Sequence, residues 1–475
     1  MSERRQRVRD LLRDPSLGAG NFAHKLVSAG LDQPDQLSLD VGLELGACDA
    51  ERLGLGQLVA LSDRVAAWYA GSGVAPKDPV ALWFADTAHY LLHYLALTSI
   101  GALPVQINGG LEPRIALAFL TGVGATRIMT DASREAALRS ELAANGSRIP
   151  YYDIDSAPWL TAAAPAAPAR FRHQPDDPVL IGHSSGTTGL PKAVRFNHEG
   201  FFYGVRRELH KQPGERVLSA LPHSHASALS ILMSACLRGA AIRLQTHKEP
   251  LQLLAAIGSF RPDLFVSFPK VYVDLCRLDL EQHDLSSIAY WLSTGDANHE
   301  SHIRRLMQFG SHPRKDGTRA PGSLFIDNLG ASELGFAAFR NVHRPGDDDS
   351  RYARRIGRAF DWVDAAVLDE QGNRAEPFQV GRLAVRAPSV TPGYWNDSLL
   401  TEKSRVSGYW LTGDLAYRDE DDVFFHVDRV SDAVITQHGV LYSCQAEELV
   451  LKHFPEVFDC SIAAARGPDR VLRPD

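Results

Sequence analysis

Several features that would direct the reading elsewhere are missing from this 475-residue sequence. No uninterrupted apolar stretch approaches the roughly 20 residues of a membrane-spanning helix, so a bundle of such helices is excluded. There is no basic excess either. The 50 Lys and Arg are outnumbered by 57 Asp and Glu, and a net charge of −7 leaves no footprint for nucleic acid. The five cysteines (Cys48, Cys236, Cys276, Cys444 and Cys460) are scattered and show no CxxC spacing. That excludes a disulfide scaffold and fits free thiols in a reducing cytoplasm. The N-terminal run from Ser2 to Arg13 is positive but lacks the apolar core of a signal peptide, so it reads as a short amphipathic surface helix. No internal repeat is found.

What is present is ordinary for a soluble enzyme: 44% apolar and 23% charged residues in a chain too long for one hydrophobic core. Strand-like and helix-like segments alternate. Pro79 to Phe84, Leu103 to Ile107 and Ala125 to Thr130 read as strands, with a helix from Thr87 to Gly101. A second round follows, with strands at Arg216 to Pro222, Ala241 to Leu244, Leu264 to Ser267 and Ala289 to Ser293, and a helix from Ala226 to Arg238. This βαβ rhythm predicts parallel sheets covered by helices. Between the two rounds, Ala157 to Arg172 is rich in Ala and Pro and reads as an exposed linker. From Trp362 to Arg386 the pattern alternates as in a small β-subdomain, and the chain changes character again near Asp428.

The segment His183 to Val194 (HSSGTTGLPKAV) carries the most chemistry. Ser184, Ser185, Thr187 and Thr188 offer hydroxyls, and Gly186 and Gly189 let backbone N–H groups approach a ligand. Lys192 adds a compact positive charge. Such a loop suits phosphate oxygens. It is not a Walker loop, because the Lys follows Pro and no helix-starting Ser or Thr succeeds it. By composition alone, a Ser/Thr-rich surface loop would serve as well.

The order of residues in this loop resembles the phosphate loop of the adenylate-forming superfamily, which includes acyl- and aryl-CoA ligases, peptide-synthetase adenylation domains and luciferases. Further motifs match in the family's order, and the resemblance runs from about residue 50 to about residue 470. The stretch Asp327 to Glu333 (DNLGASE) is similar to its second ATP element. The resemblance implies that Asp327 accepts from the adenine amino group, that Ser332 touches the α-phosphate and that Glu333 holds Mg²⁺. Leu329 stands where the family has an aromatic that stacks on adenine. Trp410 to Leu415 (WLTGDL) resembles the ribose element, with Asp414 accepting from both hydroxyls, and Arg429 then contacts ribose or phosphate. The family's hinge position is Ser431. Gly393 to Asn396 (GYWN) matches a spacing landmark and reads as a structural turn.

Leu221 to His225 (LPHSH) resembles the substrate gate, with His225 beside the reacting group. By family position, the substrate pocket draws on Phe201, Phe202, Ser227, Ser267 and Thr294. Gly295, Asn328 and Ala331 complete it. Asp296 falls where the family usually has Ala. It reads either as a cap for a helix beginning at Asn298 or His299, or as a partner for an amino or hydroxyl substituent.

The resemblance implies an α/β fold. A large N-terminal core of two stacked αβ subdomains and a small β-subdomain would span residues 1–427, and a truncated α+β C-terminal subdomain residues 428–475. The family's late Gly-Lys segment is missing after Lys452, which reads as a chain ending inside that subdomain. The implied activity is attack of a carboxylate on the α-phosphate of ATP, with Mg²⁺ and Thr187, Lys192, His225 and Glu333 assisting. CoA or the thiol of a carrier protein would then take the acyl group. An alternative within the family is an ATP-dependent diazotase of secondary metabolism that uses nitrite and an aromatic amine. A third is a nucleotide-binding protein without catalysis. Oligomeric state stays open.

Overall fold

A computed structural model describes residues 3–44, 49–156, 158–161, 168–184, 190–296, 298–347, 354–436, 439–454, 456–466 and 472–474. The chain divides into two compact units, Met1–Val266 with Pro388–Thr401, and Ser267–Ala387 with Glu402–Asp475.

The first unit contains two α/β layers. One sheet has the strand order Tyr151–Asp153, Arg127–Thr130, Pro79–Leu82, Leu103–Gln106, Pro178–Ser184, Lys192–Asn197. All neighbours are parallel except the last two strands, which form an antiparallel hairpin. Its interior is aliphatic and aromatic, with Ala81, Val105, Ile128 and Ile181 all at 0% exposure. The helix Pro113–Val123 starts with Pro at its first turn and ends on left-handed Gly124, an ordinary pairing of start and stop signals. The helix Ala132–Ala144 is capped by Asp131, whose carboxylate accepts from the Arg134 N–H at 3.1 Å. The second sheet pairs Leu37–Glu44, Ala241–Leu244, Arg216–Ser219 and Leu264–Ser267 in parallel, with Asp49–Leu53 added antiparallel at its edge.

In the second unit, Tyr290–Thr294 runs parallel to Leu324–Leu329. Beyond that pair the sheet is antiparallel, through Phe339–His343, Arg355–Ala359, Phe424–Arg429, Tyr409–Arg418 and Gly381–Arg386 to Asp364–Leu368. The α/β class expected from the alternation is the class observed, and the alternating segment at 364–386 is a β-hairpin. Among the described residues no helix is long and apolar enough to cross a membrane. Cys236, Cys276, Cys444 and Cys460 are free thiols.

One linker expectation is corrected. Within Ala157 to Arg172, Trp159 is 2% exposed and lies edge-on to His93, with ring centroids 5.0 Å apart. The Phe171 N–H donates to Ser99 O at 2.8 Å. Aromatic surface under the helices needs a cover, and this segment supplies it. Residues 157 and 162–167 lie outside the described set.

The core of the first unit also holds uncharged histidines. Tyr69 Oη and His93 Nδ1 are 2.7 Å apart in a wholly buried pair. Burial pushes His89 down to about 4 and His93 well below the usual imidazole range. His24 falls to about 4 through burial and then the nearby Arg170 charge. Below pH 6.5 the unfolded chain binds protons that these folded imidazoles refuse until about pH 4, so stability falls with acidification across that window. Each pKa unit amounts to about 1.4 kcal/mol per group. Thermal unfolding is therefore expected to show a midpoint that drops steadily from pH 6.5 to 4.5. A flat midpoint over that range would contradict the placement of these side chains.

Candidate active site

The first unit carries the hairpin whose loop is expected to bind phosphate. Ser184 ends one strand and Lys192 begins the next, and the two are directly opposed across the hairpin base. The described residues on either side of the loop belong to strands. The expected phosphate ligands Ser185, Gly186, Thr187, Thr188 and Gly189 lie outside the described residues. The Lys192 ammonium sits 5.7 Å from the centre of the Tyr394 ring. Tyr394 belongs to the Gly393–Asn396 turn. That turn is anchored by Trp395, whose N–H donates to Ala193 O at 2.7 Å and whose Nε1 donates to Val123 O at 3.0 Å. The turn is thus a structural brace for the strand that holds Lys192.

His225 is the N-cap of the helix Ala226–Arg238. Its Nδ1 accepts from the Ser227 N–H at 3.2 Å and is 2.8 Å from Ser227 Oγ. Burial, with a smaller contribution from His183, pushes its pKa down to about 4. Ser227, expected in the substrate pocket, thus touches His225, the residue expected at the gate. Phe201 and Phe202 lie inside the first unit at 1% and 0% exposure.

In the second unit, the expected nucleotide and pocket residues gather at two strand ends. Ser293 pairs with Asp327 and Thr294 with Asn328 in the parallel register. Gly295 follows at φ +92, and a Cβ there would come within 2.9 Å of the Phe268 ring, so the turn demands glycine. Ser267 is fully buried, and its N–H donates to Tyr272 Oη at 3.1 Å. The strand ending at Leu329 runs through Gly330 and Ala331 into a single 3-10 turn, Ser332–Leu334, which presents the half-buried Glu333.

The capping expectation for Asp296 fails. The helix begins at Glu300 and its N-cap is His299, whose ring is held by Glu448 at 2.9 Å. Asp296 is exposed, in the turn ahead of that helix.

Asp327 is already engaged. Its Oδ1 accepts from Asn298 Nδ2 at 2.9 Å, and Ser293 Oγ lies 3.3 Å from Asn298 Oδ1. Burial pushes the Asp327 carboxyl up to about 7; Asp296 adds to this, while Asn298 and the Arg354 charge oppose it. Asn298 carried no signal in the sequence beyond its polarity.

Asp414 and Arg429 face each other across an antiparallel pair, with Oδ1 and Nη1 3.1 Å apart. His426 Nε2 lies 3.4 Å from the same oxygen. Burial would push Asp414 up, but the His426 hydrogen bond and the Arg429 charge outweigh it and hold the carboxyl below its usual value. Gly413, at φ +88, precedes Asp414 within the strand Tyr409–Arg418, and the register of the pair shifts just after it, between Leu415 and Ala416. His426 was missed in the sequence, although its alternation with Asp428 along one strand was available as a signal.

Among the described residues no group of three or more His, Cys, Asp or Glu could hold a metal ion. Mg²⁺ is usually held by one or two carboxylates completed by substrate phosphates and water, and the half-buried Glu333 offers one such carboxylate.

Comparison with known proteins gives the class first: a model of the AMP-binding enzyme family matches residues 33–395, and the chain belongs to that family. It is an AMP-forming enzyme that activates a small substrate by adenylation. More particularly, it is 40% identical over 482 residues to 3-aminoavenalumate diazotase of Streptomyces sp, covering 98% of this chain and 84% of the relative. It is 27% identical over 441 residues to 3-hydroxybenzoate–CoA ligase of Aromatoleum sp. (strain CIB), covering 87% and 78%. Its fold matches the anthranilate CoA ligase AuaEII in complex with anthranoyl-AMP, with a TM-score of 0.82 at 19% identity, covering 96% of this chain and 86% of that one.

The raised Asp327 carboxyl has a stability consequence of definite sign. Between its usual range and about pH 7 the unfolded chain releases a proton that the folded chain keeps, so stability declines as pH rises through that interval. Asp327→Asn keeps the Asn298 contact and cannot ionise. Its melting temperature relative to wild type is expected to climb from pH 5 to pH 8. A constant offset would show that Asp327 titrates normally.

Proposed function

We propose that this protein is an ATP-dependent diazotase, activating nitrite with ATP and passing the nitrosyl group to an aromatic amine. One observation carries the reading: 40% identity to a diazotase across nearly the whole chain, against 27% to the CoA ligase. In this reading a nitrite oxygen attacks the α-phosphorus, the bond to the bridging oxygen breaks and pyrophosphate leaves. The amine nitrogen then attacks the nitrosyl nitrogen and AMP departs. The resulting nitrosamine, as its diazohydroxide tautomer, loses water to give the diazonium ion. Atoms and charge balance: amine, nitrite and ATP give diazonium, AMP, pyrophosphate and water.

The residues divide the work by chemistry. Ser184, Lys192 and the hydroxyls and N–H groups of residues 185–189 stabilise charge gathering on the phosphate oxygens. Asp414, ionised and aimed by Arg429 and His426, takes the ribose hydroxyls. Asp327 reads the adenine edge and Ser332 the α-phosphate. Glu333 holds Mg²⁺, which supplies charge neutralisation at the phosphates. His225, uncharged near neutral pH, offers an N–H at the gate. The exposed Asp296 suits the amino group of the acceptor.

A second reading, a carboxylic acid passed through its adenylate to CoA or a carrier thiol, is favoured by the CoA-ligase relative. The two are separated by one panel. Chain, MgATP and nitrite with aryl amines are expected to release AMP and a diazonium that couples to a naphthol as an azo dye. Acid-dependent pyrophosphate release without any nitrite response would sink the diazotase reading, and silence in both arms would leave only nucleotide binding. Asp414→Ala is expected to raise the KM for ATP about ten- to hundredfold, the worth of hydrogen bonds to a charged group. An unchanged KM would remove Asp414 from the ribose.

A further inference from the structure

The loop Leu221 to His225 holds two imidazoles, and their partners assign their hydrogens oppositely. His223 is 1% exposed. Its backbone N–H donates to Asp86 Oδ1 at 2.7 Å, and its Nδ1 is 2.8 Å from the same oxygen. The other Asp86 oxygen accepts from the Lys248 ammonium. Burial pushes the Asp86 carboxyl up, but the hydrogen bond to His223 and the charge and hydrogen bond of Lys248 outweigh it and hold it at about 2. An ionised carboxylate only accepts, so His223 Nδ1 carries a hydrogen and Nε2 is the position that takes a proton. In His225 the Ser227 N–H occupies Nδ1, so the hydrogen sits on Nε2. One ring of the gate loop offers a base and the other a donor.

A buried ion pair contributes little net stability after desolvation, so stability alone is a weak account of this cluster. A carboxylate that fixes the tautomer and orientation of an imidazole is, by contrast, the arrangement a general base requires. Asp86, His223 and Lys248 come from three loops of the first unit, following the strands Pro79–Leu82, Arg216–Ser219 and Ala241–Leu244.

We propose that His223 is the base of the amine half-reaction, with Asp86 and Lys248 as its positioning residues; this rests on the diazotase reading. As the amine nitrogen attacks the nitrosyl nitrogen, the N–N bond forms and the N–O bond to AMP breaks, AMP leaving with the electron pair. One amine proton passes to His223 Nε2, and Asp86 stabilises the imidazolium. The remaining N–H proton moves to oxygen as the nitrosamine becomes the diazohydroxide. His223 then returns its proton to that oxygen, which leaves as water.

The test uses the full chain with MgATP, nitrite and an aryl amine, read by azo-dye formation, with His223→Gln and Asp86→Asn. His223→Gln is expected to lower kcat about a hundredfold or more, the usual reach of a general base. The KM for ATP and the rise in melting temperature on adding ATP should stay within threefold and within error of wild type. Asp86→Asn, which frees the ring to take the other tautomer, should lower kcat at least tenfold with the same KM. It also carries the test should His223→Gln fail to fold. A kcat within threefold of wild type in a folded variant overturns the proposal. So does a loss of ATP stabilisation parallel to the loss of kcat, which assigns the cluster to structure alone. No dye from the wild type overturns this proposal and the diazotase reading together, whereas dye from wild type and variants alike overturns this one only.

Discussion

A parallel sheet covered by helices leaves polar chemistry one place to go, the loops beyond the carboxyl ends of its strands. Both faces are largely apolar and the ladder consumes the backbone groups, so side chains that meet a ligand concentrate where strands stop. Each unit obeys this separately. In the first, Asp86, His223, His225 and Lys248 all lie just past the ends of parallel strands. In the second, Thr294 to Asp296 and Leu329 to Glu333 extend the one parallel pair, whose register sets Thr294 beside Asn328. Asp414 and Arg429 are the exception. They lie in the antiparallel part, where Arg429 ends its strand opposite Asp414 and the pairing register shifts just beyond, between Leu415 and Ala416.

That constraint explains why the fold was legible in the sequence. The strands Ala241–Leu244, Leu264–Ser267, Asp364–Leu368 and Gly381–Arg386 are short apolar or alternating runs bounded by polar residues, and they form where those patterns begin and end. The Asp414–Arg429 pair was legible for a different reason: these residue types stand in a fixed order with the other motifs along the chain. What was not legible is long-range. Asp86 meets His223 across 137 positions and Lys248 across 162, and no periodicity at either end announces the partner. Trp159 was hidden in another way, since the Ala and Pro around it resemble a linker while the ring itself answers to the buried face of His93. Of the two readings open for Asp296, the cap fails although a carboxylate ahead of a helix is often one; here His299 holds that position.

Two aspartates expected at the same nucleotide show how partners, rather than burial, set the state of a carboxyl. Burial acts upward on both. Asp414 has the positive Arg429 and the ring of His426 beside it, and stays ionised. Asp327 has a neutral amide at hydrogen-bond distance and the negative Asp296 nearby, and rises to about 7. An acceptor for two ribose hydroxyls must be ionised across the working range, which Asp414 satisfies. A group that contacts the edge of adenine need not be, because that edge offers both a donor and acceptors. A carboxyl poised near neutrality can face either.

The nucleotide chemistry and the acceptor chemistry of such an enzyme are physically separable. Charge on a pentavalent phosphorus asks for N–H groups, hydroxyls, a lysine and a metal, and is indifferent to which oxygen attacks. Nitrite and a carboxylate are both small planar oxyanions, so the adenylation step can accept either without altered machinery. The distinction falls on the second step. A thiol reaches it with a proton that leaves readily, whereas an aryl amine must give up both protons, which leave as water with the nitrosyl oxygen. That demands a group able to take a proton and give it back at one place. On the proposed reading, selection between the two chemistries acts on the acceptor side, where this chain sets the His223 imidazole against an ionised Asp86, and not on the groups that meet phosphate.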